Sequence, residues 1–243
     1  MTGKDSYIEE TAIAIIPARG GSKGIPRKNL IPLLGTPMLA FTIRAAMGCA
    51  RIAKTLVSTD DAEIANVARS EGALVVDRPP ELARDEAPTE PAVLHAMDWW
   101  KEREGSDPDW VVLLQPTAPL RDSSDIDRAF TILARSGADC VLSVRERREF
   151  HWELRGDLGF PKWDIANRPR RQDLAPDTIE NGAIYITRSR LYRVEGNRLG
   201  GKIALSVMPG ERSVDVDEAE DIPLVEAYLR QRMKDKGASP IDG

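Results

Sequence analysis

Short apolar runs and amphipathic stretches alternate along this chain at near-regular intervals, and few folds accept that order. Strand candidates are "AIAIIP" (12–17), "KTLVST" (54–59), "GALVVD" (72–77), "WVVLLQ" (110–115), "ADCVLSV" (138–144), "AIYIT" (183–187), "IALSVM" (203–208) and "SVDVD" (213–217). Apolar strands alternating with helical patterns are the signature of βαβ units, so the spacing predicts an α/β fold with a mostly parallel sheet. Between the early strands the pattern becomes helical. Leu39, Ile43 and Met47 recur at i, i+4, i+8, and Ile126, Phe130 and Leu133 at i, i+4, i+7, each set forming one stripe that faces the core.

Local signals fill in some boundaries. In "STDDAE", Asp60 stands as an N-cap with Glu63 three residues on, a capping-box arrangement, and "DSSD" offers caps for the helix that follows Arg121. Arg121 itself is read as steadying that turn or helix. From about 145 to 180 the rhythm stops, and the segment is charged, aromatic and proline-containing. Two readings are open, a disordered insertion or an ordered arm. Phe150, Trp152, Phe160, Trp163 and Ile165 favour an ordered arm that buries them against a partner subunit, because so many large apolar groups are costly to leave in water.

Composition narrows the chemistry. A chain of 243 residues with 42% hydrophobic content can build one sizeable core, and its formal charge of −5 argues against tracking nucleic acid. No apolar run is long enough to cross a bilayer, and the first residues lack the basic-then-apolar order of a secretory leader, so a cytoplasmic, non-membrane protein is expected. Cys49 and Cys140 fit no metal-ligand spacing and read as small buried hydrophobes. His95 and His151 form no triad with a nucleophile. Carboxylates, cations or a metal must therefore do the work.

Against that acidic background, "PARGGSKGIPRKN" (17–29) gathers Arg19, Lys23, Arg27 and Lys28 among the glycines Gly20, Gly21 and Gly24, directly after the first strand. Glycines let backbone N–H groups approach an anion, while Lys and Arg supply charge and forked hydrogen bonds. The loop is neither a Walker loop nor a dinucleotide fingerprint. Phosphate binding and a merely solvated basic turn are both open at this point. In "SVDVD", strand alternation sends Asp215 and Asp217 to one face and Val214 and Val216 to the other, so the valines can anchor while two carboxylates converge on magnesium. The competing reading is a strand end that caps a helix beginning near Glu218.

Taken together, "IIPARGGSKGIPRKNL", "VSTDD", "RPPELARD", "LLQPTAPLR", "RRQD", "ENGAIYI" and "SVDVD" resemble, in order, the motifs of the cytidylyltransferases that activate nonulosonic acids, the CMP-sialic acid synthetases and their legionaminic acid relatives. The resemblance implies a Rossmann-like, doubly wound sheet of the nucleotidyltransferase type with a small dimerisation arm. The nucleotide-binding domain would comprise 10–145 and 181–235, and the arm 146–180. The implied activity transfers CMP from CTP to the anomeric hydroxyl of a sugar acid such as N-acetylneuraminate or legionaminate, releases pyrophosphate, requires Mg²⁺, and is carried by a homodimer.

The same resemblance assigns roles. Arg19, Lys23 and Lys28 match the triphosphate-binding cations, with Gly20, Gly21 and Asn29 in the same loop, while Arg27 has no assigned role. Arg78 corresponds to the residue that reads cytosine, and Asp85 and Thr89 lie where the nucleotide pocket is lined. Gln115 matches the glutamine that contacts the sugar acid, and Arg171, Gln172 and Asn181 fall at positions around that acceptor. Some bacterial sialate enzymes carry an arginine two residues before the asparagine; here Ile179 stands there. Asp215 and Asp217 would hold the metal. A metal-bound hydroxide, or a second Mg²⁺ on Asp217, is the expected means of activating the acceptor hydroxyl. The alternatives are a 3-deoxy-manno-octulosonate cytidylyltransferase and an inactive nucleotide-binding regulatory module.

Overall fold

The structure, a computed structural model, describes residues 10–22, 24–235 and 237. Its strands are β1 (Ala12–Pro17), β2 (Pro32–Leu33), β3 (Thr36–Pro37), β4 (Lys54–Thr59), β5 (Leu74–Asp77), β6 (Trp110–Leu113), β7 (Cys140–Arg147), β8 (Trp152–Arg155), β9 (Leu158–Pro161), β10 (Asp177–Arg188) and β11 (Ile203–Val207). The α-helices are α1 (Met38–Met47), α2 (Ala62–Ser70), α3 (Thr89–Glu104), α4 (Ser123–Ser136), α5 (Ser189–Glu195) and α6 (Asp221–Asp235). Seven strands form the main sheet in the order β11-β7-β10-β6-β1-β4-β5. All run parallel except β10, which is antiparallel to both β6 and β7. That exception follows from connectivity: the chain leaves β7, makes the arm and returns directly beside it, and a direct return pairs antiparallel.

Alternation along the strands sorts side chains onto two cores. Ala12, Ala14 and Ile16 of β1 pack with Leu39 and Ile43 of α1, Ile64 of α2, and Ile126, Phe130 and Leu133 of α4. Ile13 and Ile15 face the other way, toward Val93, Met97 and Trp100 of α3 and Tyr192 of α5. Both faces are therefore covered, which is what continuously apolar parallel strands require. A third cluster joins Ile25 and Leu33 to Leu120, Val216, Val225 and Leu229, docking α6 beneath the first loop. Among the described residues no helix is long and apolar enough to cross a membrane.

Three local expectations need correction. Met47 is 53% exposed, because it ends α1 and lies over Gly72 instead of the sheet; Ala46 completes the buried stripe. Asp61, not Asp60, caps α2, its Oδ1 accepting from the N–H groups of Glu63 and Ile64 at 2.9 Å each. "SVDVD" pairs with no strand, and the following helix starts at Asp221, not near Glu218. The segment carries no regular structure, and the Val216 N–H bonds to the Thr117 carbonyl at 2.8 Å rather than to a ladder. Elsewhere the local signals hold: Asp122 caps α4 in a full capping box with Asp125, and both cysteines are free and buried. Arg121 is fully buried beside α4, where burial pushes its guanidinium down to about 10 against the pull of Asp125 and Asp122.

The 145–180 region is ordered. β7 and β10 run past the sheet as a ribbon, with Asp177 opposite Arg147, and the β8–β9 hairpin sits at its tip. Trp163 meets Phe150 and Trp152 edge-on at 5.3 and 5.6 Å, and Arg168 stacks over the Phe150 and Trp163 rings. Its remaining apolar surface is open: Leu154 is 76%, Leu158 66% and Ile165 68% exposed.

Candidate active site

A cavity of about 590 Å³ opens at the carboxyl ends of β1, β5 and β6, where open α/β sheets place ligands. Its first wall is the glycine-rich loop after β1. Arg19, Lys28 and Asn29 line it, and the Asn29 amide donates to the Arg19 carbonyl at 2.9 Å, tying the loop's two sides together. Gly20 donates its N–H to Asp60 at 3.0 Å. Gly21 is exposed, and Lys23 lies outside the described residues.

Opposite the loop stands the segment that carries the two acidic residues. Val216 is fully buried in the third cluster, and this anchor sets Asp217 on the cavity wall. Lys28 Nζ reaches across to donate to the Val216 carbonyl at 2.8 Å and to Asp217 Oδ1 at 3.2 Å. Lys28 of the amino-terminal loop and Asp217 of the carboxyl-terminal segment thus meet. Asp215 is half-buried and does not itself line the cavity. Burial pushes its carboxyl above the usual aspartate range and neighbouring Asp217 adds to the rise, while a hydrogen bond from Thr117 opposes it. Asp215 Oδ1 is buried without a hydrogen-bond partner among the described residues. Among them no group of three or more His, Cys, Asp or Glu is arranged to hold a metal, so a metal here would rest on Asp215 and Asp217 plus ligand oxygens.

The third wall is the segment after β5. Arg78 is only 8% exposed; it donates through Nε to Ser58 Oγ at 3.1 Å and through Nη2 to the Ser58 carbonyl at 2.6 Å. Burial lowers its guanidinium to about 10, with Arg19 contributing in the same direction, so it stays charged at neutral pH. Asp85 pairs with Arg19 at 3.1 Å, and Arg19 also donates to the Arg84 carbonyl at 2.7 Å. Thr89, the first residue of α3, completes this side.

Gln115 lines the cavity just beyond β6, as its place in the sequence predicts. Gly182 lies behind it with φ +69, and a Cβ there would stand 3.3 Å from Gln115 Oε1, so both backbone and space call for glycine. The other acceptor positions fall elsewhere. Asn181 is 7% exposed; its Oδ1 accepts from Ser143 Oγ at 2.6 Å and from the Ala183 N–H, and its Nδ2 donates to Ser213 Oγ at 2.9 Å. It braces the irregularity in β10 instead of lining the cavity. Arg171 and Gln172 are exposed on the arm, Arg171 donating to the Arg148 carbonyl at 2.8 Å, and neither lines this chain's cavity. Sequence reasoning missed Thr117, which lines the cavity and braces Asp215. The available signal was a hydroxyl residue held between two prolines at a strand's carboxyl end.

A cavity that sets fixed cations and carboxylates around one space suits a nucleoside triphosphate. The family model described as "Cytidylyltransferase" matches residues 13–168. N-acylneuraminate cytidylyltransferase A of Danio rerio is 36% identical over 220 residues, covering 88% of this chain and 49% of that protein. N-acylneuraminate cytidylyltransferase of Oncorhynchus mykiss is 35% identical over 231 residues, covering 92% of this chain and 51% of its own. The chain belongs to the cytidylyltransferase family. It spans about half the length of the curated relatives it matches. The solved structure of CMP:2-keto-3-deoxy-manno-octonic acid synthetase complexed with CTP superposes with a TM-score of 0.63 at 18% identity, over 91% of this chain and 99% of that one, a likeness of fold.

Proposed function

We propose that this chain is a cytidylyltransferase that couples CTP to the anomeric hydroxyl of a nonulosonic acid of the N-acetylneuraminate or legionaminate type, giving the CMP-sugar and pyrophosphate. The observation that carries this reading is the meeting of Lys28 and Asp217 at 3.2 Å across a cavity that also presents Arg19, Arg78 and Gln115. The relatives named N-acylneuraminate cytidylyltransferase supply the acceptor class.

In this reading the triphosphate lies along the glycine-rich loop. The acceptor oxygen attacks the α-phosphorus, the bond to the bridging oxygen breaks, and negative charge grows on the departing pyrophosphate. Arg19 and Lys28 are already in place to stabilise that charge, so little reorganisation opposes the step. Arg78, fixed by Ser58, offers its guanidinium edge to the acceptors of cytosine. Gln115 orients the sugar acid at the strand end. Neither His95 nor His151 lines the cavity, so the reading assigns no imidazole base.

A divalent cation fits this donor set: Asp215 keeps a buried, unpartnered oxygen, Asp217 stands on the cavity wall, and magnesium favours one or two carboxylates together with phosphate oxygens. Asp215 and Asp217 would hold Mg²⁺, which supplies charge neutralisation of the phosphates when bound. The arm, with its open apolar face and its Arg171 and Gln172 outside this chain's own cavity, fits a homodimer in which each copy's arm completes the acceptor site of the other.

Phosphorus NMR of a reaction containing protein, CTP, Mg²⁺ and N-acetylneuraminate or legionaminate tests the assignment. The expected result is a new phosphodiester resonance rising with pyrophosphate for one or both acids and for CTP over UTP. CTP binding without turnover on any acid would replace the enzyme with a nucleotide-binding module.

A further inference from the structure

Behind the cavity the glycine-rich loop is held at both ends by the two aspartates between β4 and α2. Asp60 Oδ1 takes the Gly20 N–H at 3.0 Å. Asp61 lies so close that a Cβ on Gly20 would stand 2.9 Å from the Asp61 Cβ. At the far end, Arg27 Nη2 lies 3.1 Å from Asp61 Oδ1 and 3.0 Å from Glu63 Oε2. Arg27 also has φ 53 and ψ 35, a left-handed conformation that a non-glycine residue keeps only where its surroundings impose it. The next residue is Lys28, and the Arg27 carbonyl accepts the Leu30 N–H at 2.8 Å to start the single turn that aims Lys28 into the cavity. None of Arg27, Asp60 and Asp61 lines the cavity.

We propose that Arg27, Asp60 and Asp61 are positioning residues that clamp the two ends of the phosphate loop, fixing Arg19 and Lys28 around the nucleotide's phosphates. The proposal rests on reading the cavity as a nucleotide site. It gives Arg27 a function the sequence left open, and it explains why two aspartates stand in a row where one suffices to cap α2. A loop whose Arg27 end is released swings Lys28 away from its position, and misplacement of a binding group by about 1 Å is enough to be felt in substrate handling.

The test separates clamping from helix capping. Asp61→Ser keeps a good N-cap and deletes the ion pair. Arg27→Met deletes the pair from the other side, and Arg27→Lys preserves its charge. For Arg27→Met and for Asp61→Ser, the Kd of CTP measured calorimetrically with Mg²⁺ is expected to rise about three- to fivefold. With each variant kcat is expected to fall as well, by about two- to tenfold, because Arg19 and Lys28 meet the charge that grows on the departing pyrophosphate as well as the bound phosphates. The double variant is expected to be no worse than either single one, because the two residues act through one contact. Arg27→Lys recovers most of the affinity, and the urea midpoint stays unchanged for Arg27→Met. Unchanged CTP affinity in both single variants, additive losses, or losses that track a falling urea midpoint would overturn the clamp. Failure of the unmodified protein to bind CTP would overturn the nucleotide-site reading itself, and the clamp with it.

Discussion

Asp215 is placed where its charge is costly to the fold. Burial holds its carboxyl above the ordinary range, so the folded chain holds that proton more tightly than the unfolded chain does. The sign follows: this contribution to stability is complete below the ordinary aspartate value and is lost as pH rises through the raised one. Asp215→Asn is therefore expected to raise the urea midpoint in chelator at neutral pH and to make no difference near pH 3. Its turnover is expected to fall on the order of a hundredfold or more. A variant with lower neutral stability and intact turnover contradicts the assignment. Arg78→Met removes the buried guanidinium edge and is expected to raise the Kd of CTP about 10- to 100-fold while narrowing the preference over UTP, read by competition titration. Residue types that announce chemistry, such as the cation-rich loop and the paired acids, were legible in the sequence. Thr117 and the Asp60–Asp61 division of labour were not, because a hydroxyl or carboxylate shows its partner only once distant segments meet.

Elements were legible where local physics alone decides them. The buried parallel strands β1, β4 and β6 announce themselves as apolar runs, and the α4 capping box is written in "DSSD". "SVDVD" misled because alternating apolar and acidic residues can cover an apolar surface without pairing in a sheet. The alternation holds at Val216, which is buried, and Asp217, which is exposed, but not at Asp215, which keeps a buried oxygen. Asp122 does more than cap α4, since it also meets Arg212 and Arg232. Asp122→Ala is expected to cost about 1–2 kcal/mol in urea unfolding at neutral pH, at the upper end for a cap. The arm makes its own forecast. Leu154→Glu with Leu158→Glu places charge on its open face, and light scattering is expected to show a dimer for the parent chain and a monomer for the variant. Identical masses would remove the dimeric reading of the arm.

At the scale of the whole molecule, the mostly parallel α/β sheet follows from the alternating pattern and its doubly wound form from the family resemblance, but the strand order and the reversed direction of β10 follow from neither. Those depend on where the arm leaves and rejoins the sheet, and nothing local in "ENGAIYI" encodes its neighbours. The fold's consequence is a cleft in which the loop after β1 and the Asp217 segment meet beside the carboxyl end of β6. Calorimetric titration of CTP in Mg²⁺ into the intact chain and its Lys28→Met variant addresses that arrangement most directly. The account predicts saturable one-to-one binding to the parent, weakened on the order of 30-fold in Lys28→Met, the scale of a charge-assisted phosphate contact. Equal CTP affinity in the two proteins would contradict it.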